Sequence, residues 1–134
     1  MFTRRQTLTG AIAFALLPMA RTAQALIDYT PGLVTDRLAA GETVFVDFSA
    51  TWCSTCRAQE RVITALRAAN PAYDAAMTFV RVDWDAHGTG DLSRSLAIPR
   101  RSTLVVLRGD QELGRIVAQT GEADIRALMD LGLS

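Results

Sequence analysis

The chain has 134 residues, 49% of them hydrophobic, with 14 basic and 14 acidic side chains and two cysteines. That is the size and composition of one compact domain, and it excludes a disordered tail, a collagen and a disulfide-stapled miniprotein. A formal charge of zero also argues against a nucleic-acid binder, which would show a clear basic excess.

Residues 1–25 read as a cleavable export signal: Arg4-Arg5 near the start, an apolar stretch from Leu8 to Leu17, and a small-x-small ending at Ala23-Gln24-Ala25. An apolar run of about ten residues is shorter than the roughly 20 a spanning helix needs, so the expected product does not span a membrane. Thr3-Arg4-Arg5-Gln6-Thr7-Leu8 resembles the twin-arginine export motif. Cleavage after Ala25 leaves residues 26–134 as the folded domain, with 11 arginines against 14 acids. The expected location is the periplasm, where a cysteine pair is either a structural bond or a redox centre.

Along the mature chain, Leu33–Ala40 reads as a short helix closed by Gly41. Val44-Phe45-Val46-Asp47-Phe48 is the near-continuous apolar run of a strand buried on both faces. From Cys53 to Ala69 the apolar positions Ala58, Val62, Ala65, Leu66 and Ala69 follow helical spacing, and Asn70-Pro71 ends the helix. Met77–Trp84 reads as the next strand, Asp91–Ala97 as a short helix and Thr103–Leu107 as a third strand. Gly109-Asp110 turns the chain into Leu113–Val117, and Asp124–Met129 reads as a closing helix. Strands alternating with helices imply a parallel sheet covered on both faces, while the last turn is too short for a crossover and imposes an antiparallel pair. The predicted class is therefore α/β with a mixed sheet.

Trp52-Cys53-Ser54-Thr55-Cys56 sits where the buried strand hands over to the long helix. A thiol in the first helical turn faces unpaired backbone N–H groups and the positive end of the helix dipole, which favour a thiolate. Cys53 is thus the natural nucleophile, and Cys56, one turn deeper, can resolve a mixed disulfide formed on it. A merely structural disulfide across two residues would close too small a loop to add much stability. An autonomous zinc or iron-sulfur site wants about four ligands, and His87 is the single histidine. Asp47 stands inside an apolar strand, where a carboxylate is costly unless protonated or paired; the alternative is a solvated sheet edge.

The stretch from Val44 through Ala50-Thr51-Trp52-Cys53-Ser54-Thr55-Cys56-Arg57 resembles the active site of the thioredoxin superfamily. Cys56-Arg57-Ala58-Gln59-Glu60-Arg61 is most similar to C-terminal thioredoxin-like domains of transmembrane thiol:disulfide interchange proteins and to periplasmic relatives. The resemblance implies a thioredoxin fold, with a central mixed sheet flanked by helices, and dithiol/disulfide exchange without a dissociable cofactor. It places Asp47 beneath the cysteines as a proton relay for Cys56, and Arg81 where relatives carry a Lys that approaches that carboxylate. An arginine there could hold charge but not release a proton. Trp52 is expected to pack beside the loop and shield the thiolate. Ser54-Thr55 replaces the usual Gly-Pro, a pair that tunes the redox potential. Trp84 and His87 read as loop or packing residues.

One position departs from the family pattern. Relatives place a cis-proline just before the Thr of the third strand, and in Ile98-Pro99-Arg100-Arg101-Ser102-Thr103 that place is held by Ser102. A cis bond before serine would cost about 2.5–4 kcal/mol, so a trans bond is expected; an alternative alignment makes Pro99 the cis residue with Arg100-Arg101 inserted. With Ser102 facing Cys53, its hydroxyl could hydrogen-bond a thiolate and Arg101 would add positive potential. The expected function is reduction of protein disulfides in the periplasm, fed by a membrane thiol electron donor. Two alternatives stay open: a dithiol copper or zinc binder on the same fold, and a net disulfide oxidant.

Overall fold

A computed structural model describes residues 26–134; the export-signal reading of residues 1–25 lies outside the described residues. Five strands form one sheet, β1 (Ile27–Asp28), β2 (Thr43–Ser49), β3 (Met77–Asp83), β4 (Thr103–Arg108) and β5 (Gln111–Val117), in the order β1-β3-β2-β4-β5. Strands β1 and β2 run parallel to β3, and β4 is antiparallel to both β2 and β5. Around the sheet lie α1 (Leu33–Ala39), α2 (Ser54–Ala69), α3 (Ala72–Ala76), α4 (Trp84–His87), α5 (Asp91–Ser95) and α6 (Glu122–Asp130), with a final 3-10 turn at Leu131–Leu133.

Every residue of β2 is buried, because both of its faces are covered. Alternation along a strand sends odd and even positions to opposite faces. Phe45 joins Phe79, Ile63, Leu66, Leu104, Ile125 and Met129 in the core under α2 and α6. Val44, Val46 and Phe48 pack with Val34, Val80, Val82 and Ile98 on the other side. Asp47 shares the parity of Phe45 and so belongs to the face covered by α2. In the parallel register Asp47 is opposite Arg81, which puts both on that face.

The antiparallel setting of β4 departs from the parallel sheet expected from the alternation of elements. Helices α4 and α5 have four and five residues, so each spans about 6–8 Å at 1.5 Å per residue. Seven-residue β3 runs about 20 Å or more. Neither helix alone spans the sheet, and β4 starts at the end where β3 stopped. That end also carries the start of α2, which is how Ser102 comes to face the cysteines.

Smaller differences have local causes. Strand β3 stops at Asp83 instead of Trp84, because the Asp83 side chain accepts from the Asp85 N–H and caps α4. Strand β1 and helix α3 are too short to register as periodic patterns. Helix α2 ends as predicted at Asn70, which is extended (φ −136°) ahead of Pro71. No helix among the described residues is long and apolar enough to cross a membrane.

Candidate active site

Cys53 is the N-cap of α2, with extended backbone (φ −88°, ψ 113°), and its Sγ accepts the Cys56 N–H at 3.1 Å. A sulfur takes the place that a serine or aspartate oxygen usually fills at a helix start. Both cysteines are free thiols and both are buried, clustered with Ala50 and flanked by Trp84. Burial alone would push the Cys53 thiol up. It is outweighed by hydrogen bonds from the Cys56 thiol, the Ser102 hydroxyl, the Cys56 N–H and the Arg101 guanidinium, which bring the pKa down from 9.0 to about 7.

Ser102 completes the pair. Its Oγ lies 3.3 Å from Cys53 Sγ and 3.1 Å from Cys56 Sγ. Among the described residues no peptide bond is cis. This matches the expected trans bond before Ser102 and removes the alternative of a cis Pro99, whose side chain is exposed. The chain turns here by placing Ser102 at φ 64°, a left-handed conformation that is uncommon for a non-glycine residue. Three hydrogen bonds hold it there. The Ser102 N–H donates to Phe48 O at 2.7 Å, and its carbonyl accepts from the Ala118 N–H at 2.8 Å and from Gln59 Nε2 at 2.9 Å.

Asp47 is fully buried and neither carboxylate oxygen has a hydrogen-bond partner, so the solvated-edge alternative fails. Desolvation raises its pKa from 3.8 to about 7, against the pull of Arg81 and with smaller upward contributions from Glu60 and Cys53. The expected approach of residue 81 to this carboxylate takes a different form. Arg81 forms an ion pair with Glu60 on α2, and acts on Asp47 only as a nearby charge. Arg81 and Glu60 also line a pocket of about 240 Å³ with Ser49, Ala50, Thr51, Arg57 and Asp83.

The remaining predicted residues border this centre. Ser54 is exposed and Thr55 half-buried, at the first turn of α2. Trp52 lies beside the loop and is 54% exposed. Its indole N–H donates to the Asp85 carboxylate at 2.9 Å, and the Arg101 guanidinium sits 4.3 Å from its ring centroid. The aromatic flank is supplied by Trp84, which packs on the cysteine cluster and edge-on against Phe48 at 6.3 Å. His87 makes an edge-on contact with Tyr29, as befits a packing residue. Among the described residues no group of three or more His, Cys, Asp and Glu converges.

The thioredoxin family model matches residues 33–131, from α1 into the final turn. The chain belongs to the thioredoxin family. The thioredoxin of Mycobacterium tuberculosis is 32% identical over 98 residues, which cover 72% of this chain and 80% of that one. Thioredoxin H2-1 of Oryza sativa subsp. japonica is 36% identical over 74 residues, 55% of this chain and 49% of the rice protein. Among solved structures, Trxlp from Edwardsiella tarda superposes with a TM-score of 0.65 at 30% identity, covering 79% of this chain and 96% of its own. Malassezia sympodialis thioredoxin superposes equally well, TM-score 0.65, at 19% identity, a likeness of fold alone. As a thioredoxin, this protein is a thiol:disulfide oxidoreductase, and Cys53-Ser54-Thr55-Cys56 is its redox motif.

Three contributors to the thioredoxin site escaped the sequence reading. Gln59 is fully buried and donates from Nε2 to both Ser102 O and Gln119 O, at 2.9 and 3.0 Å. The only signal was a polar side chain one turn after Cys56 on the inward face of α2. Asp85 was hidden behind the strand assignment of Trp84, and Glu60 was noted only as part of a motif. Glu60 gives a direct test of the carboxyl group beneath the cysteines. In Glu60→Gln a charge that raises Asp47 is gone and Arg81 is released towards it, so the Asp47 titration midpoint should fall below about 7 in carboxyl ¹³C NMR. An unchanged midpoint would mean that solvent screens this half-exposed pair completely.

Proposed function

We propose that this thioredoxin is exported and reduces disulfides of periplasmic proteins, with its own dithiol restored by a membrane thiol donor. The reductase direction rests on the likeness of Cys56-Arg57-Ala58-Gln59-Glu60-Arg61 to thioredoxin-like domains of thiol:disulfide interchange proteins, and the Cys53 thiol, lowered to about 7, accords with it. Thiolates of reducing thioredoxins lie at about 7, while strongly oxidising disulfide donors hold theirs at about 3.5, since a more stable thiolate makes a more avid electron acceptor. Cys53 attacks a substrate disulfide, forming a mixed disulfide and expelling one substrate thiol. Cys56 then attacks Cys53 Sγ, closing the Cys53–Cys56 disulfide and releasing the second thiol.

Asp47 serves the second step. While Cys53 is a thiolate, its charge helps keep Asp47 protonated. Once Cys53 is tied up in the mixed disulfide that repulsion is gone, and Asp47 ionises more readily into a base for the Cys56 proton. The periplasm is kept oxidising, so a reductase there depends on a recharging partner.

Titration of the dithiol in dithiothreitol or glutathione buffers tests the direction. A potential near about −270 mV fits a reductase, and one near about −120 mV would make the protein a disulfide donor. Export rests on the arginine pair, the apolar stretch and the Ala23-Gln24-Ala25 ending. The periplasmic form should begin at Leu26 by mass spectrometry, and replacing Arg4 and Arg5 by Lys should leave the precursor inside the cell. Recovery of the uncut chain from the cytoplasm of the unaltered strain would remove the periplasmic assignment.

A further inference from the structure

We propose that Arg101 is a specificity-determining residue of the exchange reaction, selecting client disulfides whose cysteine is flanked by Asp or Glu. This inference rests on the thiol exchange proposed above and names the class of client that the site takes best. Arg101 directly precedes Ser102, whose hydroxyl contacts both sulfurs. Its guanidinium lies over the ring of Trp52, the residue directly before Cys53, at 4.3 Å from the ring centroid. The Trp52 ring is itself held by Asp85, which accepts the indole N–H at 2.9 Å. No ion pair joins Arg101 to Asp85 or to any other acid among the described residues, and its Nε is buried without a hydrogen-bond partner. The anion that this half-buried cation faces is Cys53, to which it donates a hydrogen bond.

That anionic partner is lost during the reaction. When Cys53 Sγ attacks a client disulfide, a bond forms between it and one client sulfur, the client S–S bond breaks, and the electron pair leaves with the second client sulfur. Cys53 is then neutral, and the guanidinium beside it faces no anion. A carboxylate next to the client cysteine takes over as its partner. Neighbouring Cα atoms are about 3.8 Å apart, so a side chain adjoining the bound cysteine comes within reach of a group that touched Cys53 Sγ. A planar guanidinium suits a carboxylate through two parallel N–H···O bonds. Partial burial also makes the pair worth more than one on the open surface, where water screens it. The resolving step, with the Cys56 proton passed to Asp47, is unchanged.

The charges around the dithiol point the same way, against those of the domain as a whole. Residues 26–134 hold 14 acids and 11 arginines, so their long-range field attracts basic clients. Beside the thiols the balance reverses. Arg57 follows Cys56 and is exposed, and Arg100 donates from Nε to the Arg101 carbonyl at 3.0 Å. Neither has a carboxylate partner among the described residues. The acids nearby are engaged: Glu60 holds Arg81, Asp85 holds the Trp52 N–H, Asp83 caps α4 and Asp47 is fully buried.

The test presents the reduced protein with disulfide-linked peptide dimers that differ only around their cysteine: Asp, Asn or Lys on both sides, and a fourth peptide with the same acids several residues away. Acid quenching and chromatography give the rate of reduction, and division by the rate with dithiothreitol removes each peptide's own reactivity. The parent should reduce the Asp-flanked peptide about tenfold faster than the Lys-flanked one, the scale of one charge-assisted contact, and faster than the peptide with distant acids. Arg101→Gln should bring the first ratio to within about twofold, and Arg101→Lys, which keeps the charge, should retain part of it. Loss of thiolate stabilisation in these variants slows every peptide alike and cancels from the ratio. A preference undiminished in Arg101→Gln, equal rates for near and distant acids, or no preference in the parent would each overturn the role of Arg101. A parent that reduces none of the peptides would instead overturn the oxidoreductase reading on which that role depends.

Discussion

The Asp47→Ala protein is expected to be about 3 kcal/mol more stable than its parent at pH 8, with the advantage gone below about pH 4. In the unfolded chain this carboxyl titrates at its ordinary 3.8, and in the fold at about 7. Below 3.8 it is protonated in both states and contributes no pH dependence. Between 3.8 and 7 the unfolded chain releases the proton while the native state keeps it, so each rise in pH favours unfolding by about 1.4 kcal/mol per unit. Above 7 both are ionised and the cost stays constant at about 4 kcal/mol. Packing lost with the smaller side chain takes back about 1 kcal/mol. Urea unfolding of the reduced protein at pH 4, 6 and 8 reads this directly. A difference that does not change with pH would mean that Asp47 is not held protonated by burial. The same variant should resolve mixed disulfides more slowly, because stability and proton handling draw on one unpartnered group.

The second large effect separates the cysteines. Cys53→Ser should lower the rate of disulfide exchange by at least about a thousandfold, since an alcohol is almost never ionised near neutrality and removal of a nucleophile leaves no substitute. Cys56→Ser should still attack, because Cys53 keeps the backbone N–H of residue 56, the Ser102 hydroxyl and Arg101 as donors. It should then stall as a stable adduct with one substrate thiol. Intact-mass analysis after incubation with oxidised glutathione distinguishes the two. An adduct on Cys53→Ser in place of Cys56→Ser would reverse the assigned roles.

The cysteine motif was legible in the sequence because its chemistry is local: strand, tight turn and helix start follow one another in a single stretch. Asp47 was legible for a related reason, as an ionisable residue in a run too apolar to be an edge. The partners that condition these groups were not, since they arrive from elsewhere in the chain. Gln59 looks like any helix polar residue until Ser102 O and Gln119 O are brought to it across 43 and 60 residues. Arg81 and Glu60 each had a plausible role alone, and only the packing of α2 over β3 made them partners of one another. The direction of β4 was not legible, because the connection from β3 holds only two short helices whose boundaries sequence periodicity locates poorly. Trp84 packs as read, but its place against the cysteines was not legible before the chain after Asp83 was seen to turn into a helix.

Among the described residues three other than glycine have left-handed backbone, Ala97 at φ 50°, Ser102 at φ 64° and Ala118 at φ 60°, and each is tied to or lies just after β5. The Ala118 N–H holds the Ser102 carbonyl, and Arg115 holds the Ala97 and Leu96 carbonyls at 3.3 and 2.6 Å. Each such conformation costs about 1–2 kcal/mol that the rest of the fold must offset. The rim of the dithiol is in this sense a loaded spring, kept wound by the β4–β5 hairpin. Glycine at 97 or 118 would unload it, and would also slacken the clamp that aims the Ser102 hydroxyl at the two sulfurs. At these positions, robustness and the precision of thiol chemistry pull in opposite directions.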